Sequence, residues 1–514
     1  MPVTGTLQEF FSAIQECERL YPVSRWSVNG VPAWPFIRTE GRQELSENAP
    51  PADGKQARPS FVFSLLRHGA SPLLNVIENI SDWRHEKLRL RPVDVVFLGD
   101  GISRDFIEGA WRDRYGAPII AALEADGKTS LLMQPRVQRL PRERETYSVQ
   151  WIASWGHLLG RICRARNVEL PAHAQVRALL RARGFDLRVL ELPVIKRWGV
   201  KVAAMARLFG HVLARTTPKM GIAVSYYWDV GFAFNLACRR RGVLSVDIQH
   251  GSQDGRHEAY NFWSIIPSRG YSILPTIFWT WSQEDAQAIN EWATEIAGPW
   301  HQAVWGGHPQ ISTWLDDASP EVRKYDAKIR DIKQECGNGG LDVLVALQDL
   351  EGYGAVWDAL ASRIESAPPH WRWWLRRHPV PAYNKGAGIK RLLALKGRNI
   401  ILEEATSLPM PALLRNVDAV LSLMSSTAVE ACFFGHRPIF LSEDARMQFF
   451  EIFEANKVDV ISNMDALMAH LATLEERRGR VEQRPYHRTD LNQTLTKLLS
   501  IAENYRDSVC NHGV

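Results

Sequence analysis

Two series of short, unbroken apolar runs, each closing on a small or polar residue, constrain this chain more than any other feature. The first series is "RPVDVVFLGDG" (91–101), "GIAVSYYWD" (221–229), "GVLSVDIQHG" (242–251), "TIFWTWS" (276–282) and "HQAVWGGHP" (301–309). The second is "LDVLVALQD" (341–349), "HWRWWLRRHP" (370–379), "RNIILEE" (398–404), "VDAVLSLMS" (417–425) and "RPIFLS" (437–442). A half-exposed strand alternates apolar and polar residues, so a run apolar on both faces suits a parallel strand covered on both sides. Helical spacing fills the gaps, as in "GFAFNLACRRR" (231–241) and "QEDAQAINEWATEIA" (283–297). The alternation predicts an α/β chain of two doubly wound domains facing a central cleft.

The expected layout is a mixed helical N-terminal extension (1–90), a first α/β domain (91–325), a second (340–465), and C-terminal helices (466–514) packing back across both. "ENAPPADGKQARPS" (47–60) is polar and proline-rich, hence a loop. "DDASPEVRKYDAKIRDIKQECGNGG" (316–340) is polar, ends in glycines and reads as the crossing between domains. The glycines of "WGGHPQ" (305–310) suit a hinge or a close-approach turn.

Charge narrows the partners. The net charge is +5, from 62 Lys and Arg against 57 Asp and Glu. That is too dilute for the basic stripe of a nucleic-acid binder, so no nucleic-acid partner is expected. It suits weak attraction to anionic substrates or to an anionic membrane surface, hence peripheral association at most. The six cysteines are scattered without CxxC or zinc spacing, which points to free thiols in a reducing cytoplasm and to no metal site. The first residues lack a secretory pattern, and no run of about 18 apolar residues occurs. The expected place is the cytoplasm, including the inner face of its membrane. The 19 tryptophans suit core or carbohydrate-binding positions, with core the commoner use.

Ligands of an open parallel sheet gather beyond the carboxyl ends of its strands. In the second series, Ser425, Ser426 and Thr427 stand where a strand hands over to a helix. Small hydroxyl residues there let a phosphate approach the helix start, and Glu430, one turn on, suits a ribose. Thr427-x-x-Glu430 also matches a capping box, so simple turn and cap roles stay open. "WRWWLRRHP" ends in Arg377, His378 and Pro379: a histidine at that edge bonds a phosphate or protonates one as it leaves, while a solvated basic strand end is the plain alternative. Gln348, Glu351 and Gly352 follow the first strand of this series and face the same edge. In the first series, Asp100, Asp229 and Asp254 and the imidazole of His250 lie at or just beyond strand ends, and any of them suits proton abstraction from a hydroxyl.

Together, "IQHG" in the first half and "RRHP" with "SSTAVEACFFGHRPIF" in the second resemble the GT-B glycosyltransferases, over roughly residues 91–465. The resemblance implies two Rossmann-like domains and a metal-independent enzyme of surface polysaccharide synthesis (capsule, lipopolysaccharide). It implies a nucleotide sugar as substrate rather than any cofactor, and an oligosaccharide or lipid-linked glycan as acceptor. The His-Pro and Ser-Ser combination is similar to bacterial sialyltransferases and Kdo transferases, whose corresponding residues contact the phosphate of a CMP-sugar. That carries over to His378, Ser425 and Ser426. The acidic motif which sialyltransferases place in their N-terminal domain has its nearest match in "DLEG" (349–352), interrupted and in the second half. The competing expectations are a nucleotide-sugar epimerase or hydrolase of the same architecture, and a non-catalytic glycan-binding assembly protein.

Overall fold

The structure is a computed structural model. It describes residues 7–48, 90–107, 110–135, 146–251, 253, 257–294, 300–337, 339–378, 381–449, 452–453, 457–477 and 489–511. The chain divides into two compact units. The first is Met1–Arg104, Trp111–His308 and Asp490–Val514; the second is Asp105–Ala110 and Pro309–Thr489.

The first unit is built on a seven-stranded sheet. Its strands are β1 (Val95–Leu98), β2 (Ser130–Gln134), β3 (Tyr147–Ser148), β4 (Met220–Val224), β5 (Leu244–Ile248), β6 (Ile277–Thr280) and β7 (Gln302–Trp305). They lie in the order β7-β6-β5-β4-β1-β2-β3, and all neighbours run parallel. Strands β1, β4, β5 and β6 are buried along their whole length, as their unbroken apolar runs require. The chain starts at β1, spreads one way to β3, then restarts on the other side with β4. The reversal lies between β1 and β4.

The second unit repeats this plan with β8 (Asp342–Ala346), β9 (Arg372–Arg376), β10 (Ile400–Ile401), β11 (Ala419–Ser422), β12 (Ile439–Phe440) and β13 (Asp459–Val460). The order is β10-β9-β8-β11-β12-β13, again all parallel. Its reversal lies between β8 and β11. Tryptophan serves the core: Trp279, Trp281, Trp357, Trp373 and Trp374 are fully buried.

Three segments differ from their sequence reading. The N-terminal helices Leu7–Leu20 and Trp34–Asn48 share the core of the first unit, rather than forming an extension to it. Glu18 and Arg38 form an ion pair buried among them. Residues 320–335, read as part of a polar crossing, form a helix that buries Val322, Tyr325 and Ile329. The amphipathic spacing of those three outweighs the polar composition between them. The closing helices divide: Glu475 of Met464–Glu476 accepts from Trp371 Nε1 (2.8 Å) in the second unit, while Glu503 of Leu491–Asn511 accepts from Lys219 (2.8 Å) in the first.

One buried histidine makes the first unit acid-labile. His301, at the start of β7, bonds the Pro275 carbonyl through Nδ1 (2.7 Å) and accepts from the Tyr271 N–H at Nε2 (3.1 Å). Burial pushes its imidazole down to about 3, against the pull of the Pro275 carbonyl. The unfolded chain therefore binds a proton that the folded chain refuses, and stability falls as pH drops from 6.5 towards 3. We expect roughly 1 kcal/mol lost per pH unit from this group. His301→Gln should flatten the fall in thermal midpoint between pH 7 and pH 5. An unchanged slope would refute the assignment.

Candidate functional site

The carboxyl edge of the second sheet is level by construction. Ala346 of β8 pairs with Arg376 of β9 and with Ser422 of β11. Gln348 and His378 each stand two residues beyond those partners, and Ser425 three. Three loops thus leave the sheet side by side, and two of them flank the reversal between β8 and β11. Ligands of open α/β sheets bind at such a point.

Each loop is held by its own bonds. After β8, Asp349 N–H donates to the Tyr383 carbonyl (2.8 Å), and Trp357 Nε1 donates to the Gln348 carbonyl (3.1 Å). Gly386 has no room for a side chain: a Cβ there would stand 2.2 Å from the Asp349 carboxylate. Gly352 turns the loop at φ +86. Glu351 is exposed. The Gln348 Oε1 is buried and receives no hydrogen bond among the described residues.

After β9, Asn384 clamps the backbone of His378. It accepts the His378 N–H at Oδ1 (2.9 Å) and donates from Nδ2 to the His378 carbonyl (2.7 Å). The imidazole packs edge-on against Tyr383, 4.6 Å between centroids. Arg377 is engaged elsewhere, in a two-pronged bond to Glu403 (2.9 and 2.7 Å). Pro379 lies outside the described residues.

After β11, the Ser422 hydroxyl accepts the Ser425 N–H (2.9 Å). Ser425 Oγ donates to Thr427 Oγ1 (3.1 Å) and accepts the Thr427 N–H (3.3 Å). Ser426 takes the cap position of the seven-residue helix Thr427–Phe433, with helical φ/ψ and no side-chain cap bond. The capping box read from Thr427-x-x-Glu430 is not the geometry formed, because Thr427 is already inside the helix. Glu430 is buried, and so is Thr427.

The reversal of the first sheet has a different chemistry. After β1, Asp100 closes on itself, accepting the N–H groups of Ile102 and Ser103 (both 2.8 Å) and the Ser103 hydroxyl (2.6 Å). The start of the helix Gly116–Ala125 is filled by the chain's own carboxylate. Asp113 accepts from Gly116 N (2.7 Å), Tyr115 N (3.1 Å) and Gln134 Nε2 (2.7 Å). Gly99 is required there, since a Cβ would meet Asp113 Oδ2 at 2.4 Å. After β4, Asp229 forms an ion pair with Lys201, next to His157, whose imidazole burial pushes down to about 4. Asp254 lies outside the described residues.

His250, beyond β5, remains. Its Nε2 faces the Tyr227 hydroxyl (3.1 Å), and its carbonyl accepts from the Tyr115 hydroxyl (3.2 Å). Its Nδ1 is buried with no partner among the described residues. Burial pushes the imidazole below its ordinary range while the Asp100 charge opposes this. The ring is therefore neutral at neutral pH, and Nδ1 donates or accepts according to the direction of the bond between Nε2 and the Tyr227 hydroxyl. The loop that follows is braced by the N-terminal helices. Arg38 donates to the carbonyls of Asn261 (2.7 Å) and Phe262 (3.1 Å), Glu18 accepts from Ser264 N (2.8 Å), and Arg42 stands 3.0 Å from Glu258.

Tyr227, Gln134 and this brace had no signal in the sequence, since each acts across a separation that only folding closes, whereas Asp113 and Asn384 act locally, on backbone two to six residues away. Among the described residues, no group of three or more His, Cys, Asp or Glu is placed to hold a metal ion, and no helix is long and apolar enough to cross a membrane.

No family model and no curated protein matches the sequence. Among solved structures, the chain is similar to UDP-GlcNAc 2-epimerase from Neisseria meningitidis bound to UDP-GlcNAc, at 14% identity and a TM-score of 0.49, over 79% of this chain and 99% of that one. It is similar to a putative UDP-N-acetylglucosamine 2-epimerase from Listeria monocytogenes at 15% identity and TM-score 0.47, over 80% and 97%. It is also similar to the wall teichoic acid polymerase TagF at 9% identity and TM-score 0.39, over 87% and 99%. These are likenesses at low identity, and what those proteins bind or make stays with them.

Proposed function

We propose that the chain is a glycosyltransferase that moves a sugar from a nucleotide-activated donor to a hydroxyl of a surface glycan. The observation that carries this is the level edge of the second sheet, where Gln348, Ser425 and Ser426 flank the reversal and His378 leaves the neighbouring strand at the same height. A buried amide oxygen without a partner is costly unless something donates to it, and an exocyclic amine or a sugar hydroxyl of the donor would. In the first unit, the start of the helix Gly116–Ala125 is already satisfied by Asp113.

In this reading the acceptor oxygen attacks the anomeric carbon, the bond to the donor phosphate breaks, and its electron pair stays on the phosphate. His378 and the serine hydroxyls stabilise that charge. His250 takes the proton from the acceptor: with Tyr227 accepting from Nε2–H, the lone pair lies on Nδ1. Resemblance in the HP and SS motifs favours a CMP-sugar, such as CMP-Kdo or CMP-sialic acid.

A thermal-shift panel with CMP, CDP, UDP and GDP tests the donor site. One nucleotide should stabilise the protein by about 3 kcal/mol at 100 times its Kd. His378→Ala should lose most of that shift and slow transfer about 100- to 1000-fold. A panel without any shift would sink the reading. Release of an epimerised nucleotide sugar without acceptor would replace it with the epimerase alternative.

A further inference from the structure

The charge of this chain is concentrated. Residues 161–197 hold nine Lys and Arg against three Asp and Glu, a net +6, where the whole chain carries +5. Five of these basic side chains, Arg161, Arg164, Arg166, Lys196 and Arg197, have no carboxylate partner among the described residues, whereas Arg181 is spent on Asp186.

Apolar side chains stand exposed among them. Ile162 is 66% exposed, Leu192 41% and Val168 38%. Exposed large apolar residues are few among the described residues, so their occurrence here beside unpaired arginines is a local feature. The segment belongs to the first unit. Gly160, at the end of the helix Gln150–Ile162, sits so close to the helix Leu192–Thr216 that a Cβ on it would stand 3.2 Å from the Arg197 carbonyl. The Arg166 N–H bonds Asn29 Oδ1 (2.9 Å), and Val168 pairs with Val28, which itself packs on Gly199. His173 bonds the Leu190 carbonyl (2.8 Å), closing an open hollow of about 650 Å³ bordered by Arg177 and Leu192.

We propose that residues 161–197 dock the chain on an anionic lipid bilayer, with Ile162, Val168 and Leu192 entering the interface and the unpaired basic groups meeting the headgroups. Charge decides the sign of the partner, and the apolar side chains decide its kind. A soluble polyanion has nowhere to receive an isoleucine, whereas a bilayer interface does. Docking would hold the protein where a lipid-linked acceptor is presented. That last step rests on the proposed transferase reading; the docking itself does not.

Vesicle co-sedimentation tests it without donor or acceptor. The full chain should pellet with vesicles of phosphatidylcholine containing about a third phosphatidylglycerol, and not with pure phosphatidylcholine, and salt should weaken the binding. The variant Arg161→Glu/Arg164→Glu/Arg166→Glu should lower the partition coefficient about 100-fold or more, since each basic group near the surface contributes about fivefold. Ile162→Ser should lower it about fivefold while leaving binding to heparin unchanged. Both variants lie on the surface, so their thermal midpoints should match the parent and report folding. Binding that ignores Ile162→Ser, or heparin binding as tight as vesicle binding, would replace the bilayer with a plain polyanion site. No binding to either vesicle would overturn the proposal and leave the donor-site reading untouched.

Discussion

His250→Ala is expected to slow glycosyl transfer about 100- to 10,000-fold, the usual loss when a positioned general base is removed. The nucleotide-induced thermal shift should survive, because the donor-site residues belong to the second unit. His250 is the group of the first reversal that is chemically fit for the task. Asp229 is engaged by Lys201, Asp100 is closed on its own turn, and of the three only His250 has a buried side-chain polar atom without a partner among the described residues. Because burial depresses its pKa, the acid limb of kcat/KM should fall below pH 6.5 in the parent and disappear in the variant. Transfer within threefold of the parent would remove His250 from the mechanism.

Asp342→Ala is expected to cost the second unit about 3–5 kcal/mol, the loss typical of orphaning a buried charge. Asp342 opens β8 and is wholly buried. It accepts from Arg372 Nε (2.7 Å) and Nη2 (2.8 Å), Trp374 Nε1 (2.9 Å) and Lys333 (2.9 Å). Removing it leaves the Arg372 guanidinium in the interior with only carbonyl partners, such as Gly337. The double variant Asp342→Ala/Arg372→Leu should recover much of the loss, because the uncompensated charge leaves with the arginine. Burial raises the Asp342 carboxyl, but its bonds to Arg372 and Lys333 outweigh this and hold the pKa below 3.8. Its stabilisation is thus present above that pH and lost as pH falls through the depressed value. Calorimetry of the parent and the two variants as a function of pH checks both points. A single variant within 1 kcal/mol of the parent would contradict the argument.

The alternation of strand and helix was legible because burial on both faces leaves a plain mark: β8 is "DVLVA", buried throughout, and β9 "RWWLR", buried but for its last residue. The polar segment 320–335 was misread for the opposite reason. Three apolar residues suffice to seat a helix, and thirteen others set the composition. At the site, His378, Ser425 and Ser426 were visible as strand-end residues of the right type. The engagement of Arg377 by Glu403 was not, because 26 residues separate them in the chain.

The sequence by itself determined which residues end buried strands, and hence which side chains could reach a ligand at all. That follows from local periodicity, a property of neighbours along the chain. Only the tertiary structure decided which of those side chains are free to act. Pairing of Ala346 with both Arg376 and Ser422 set Gln348, His378 and Ser425 level, and Lys201 and Ser103 engaged two carboxylates that the sequence had left equal to His250. Partners of that kind lie tens of residues away or across a turn, and their energies depend on burial, which no stretch of sequence carries alone.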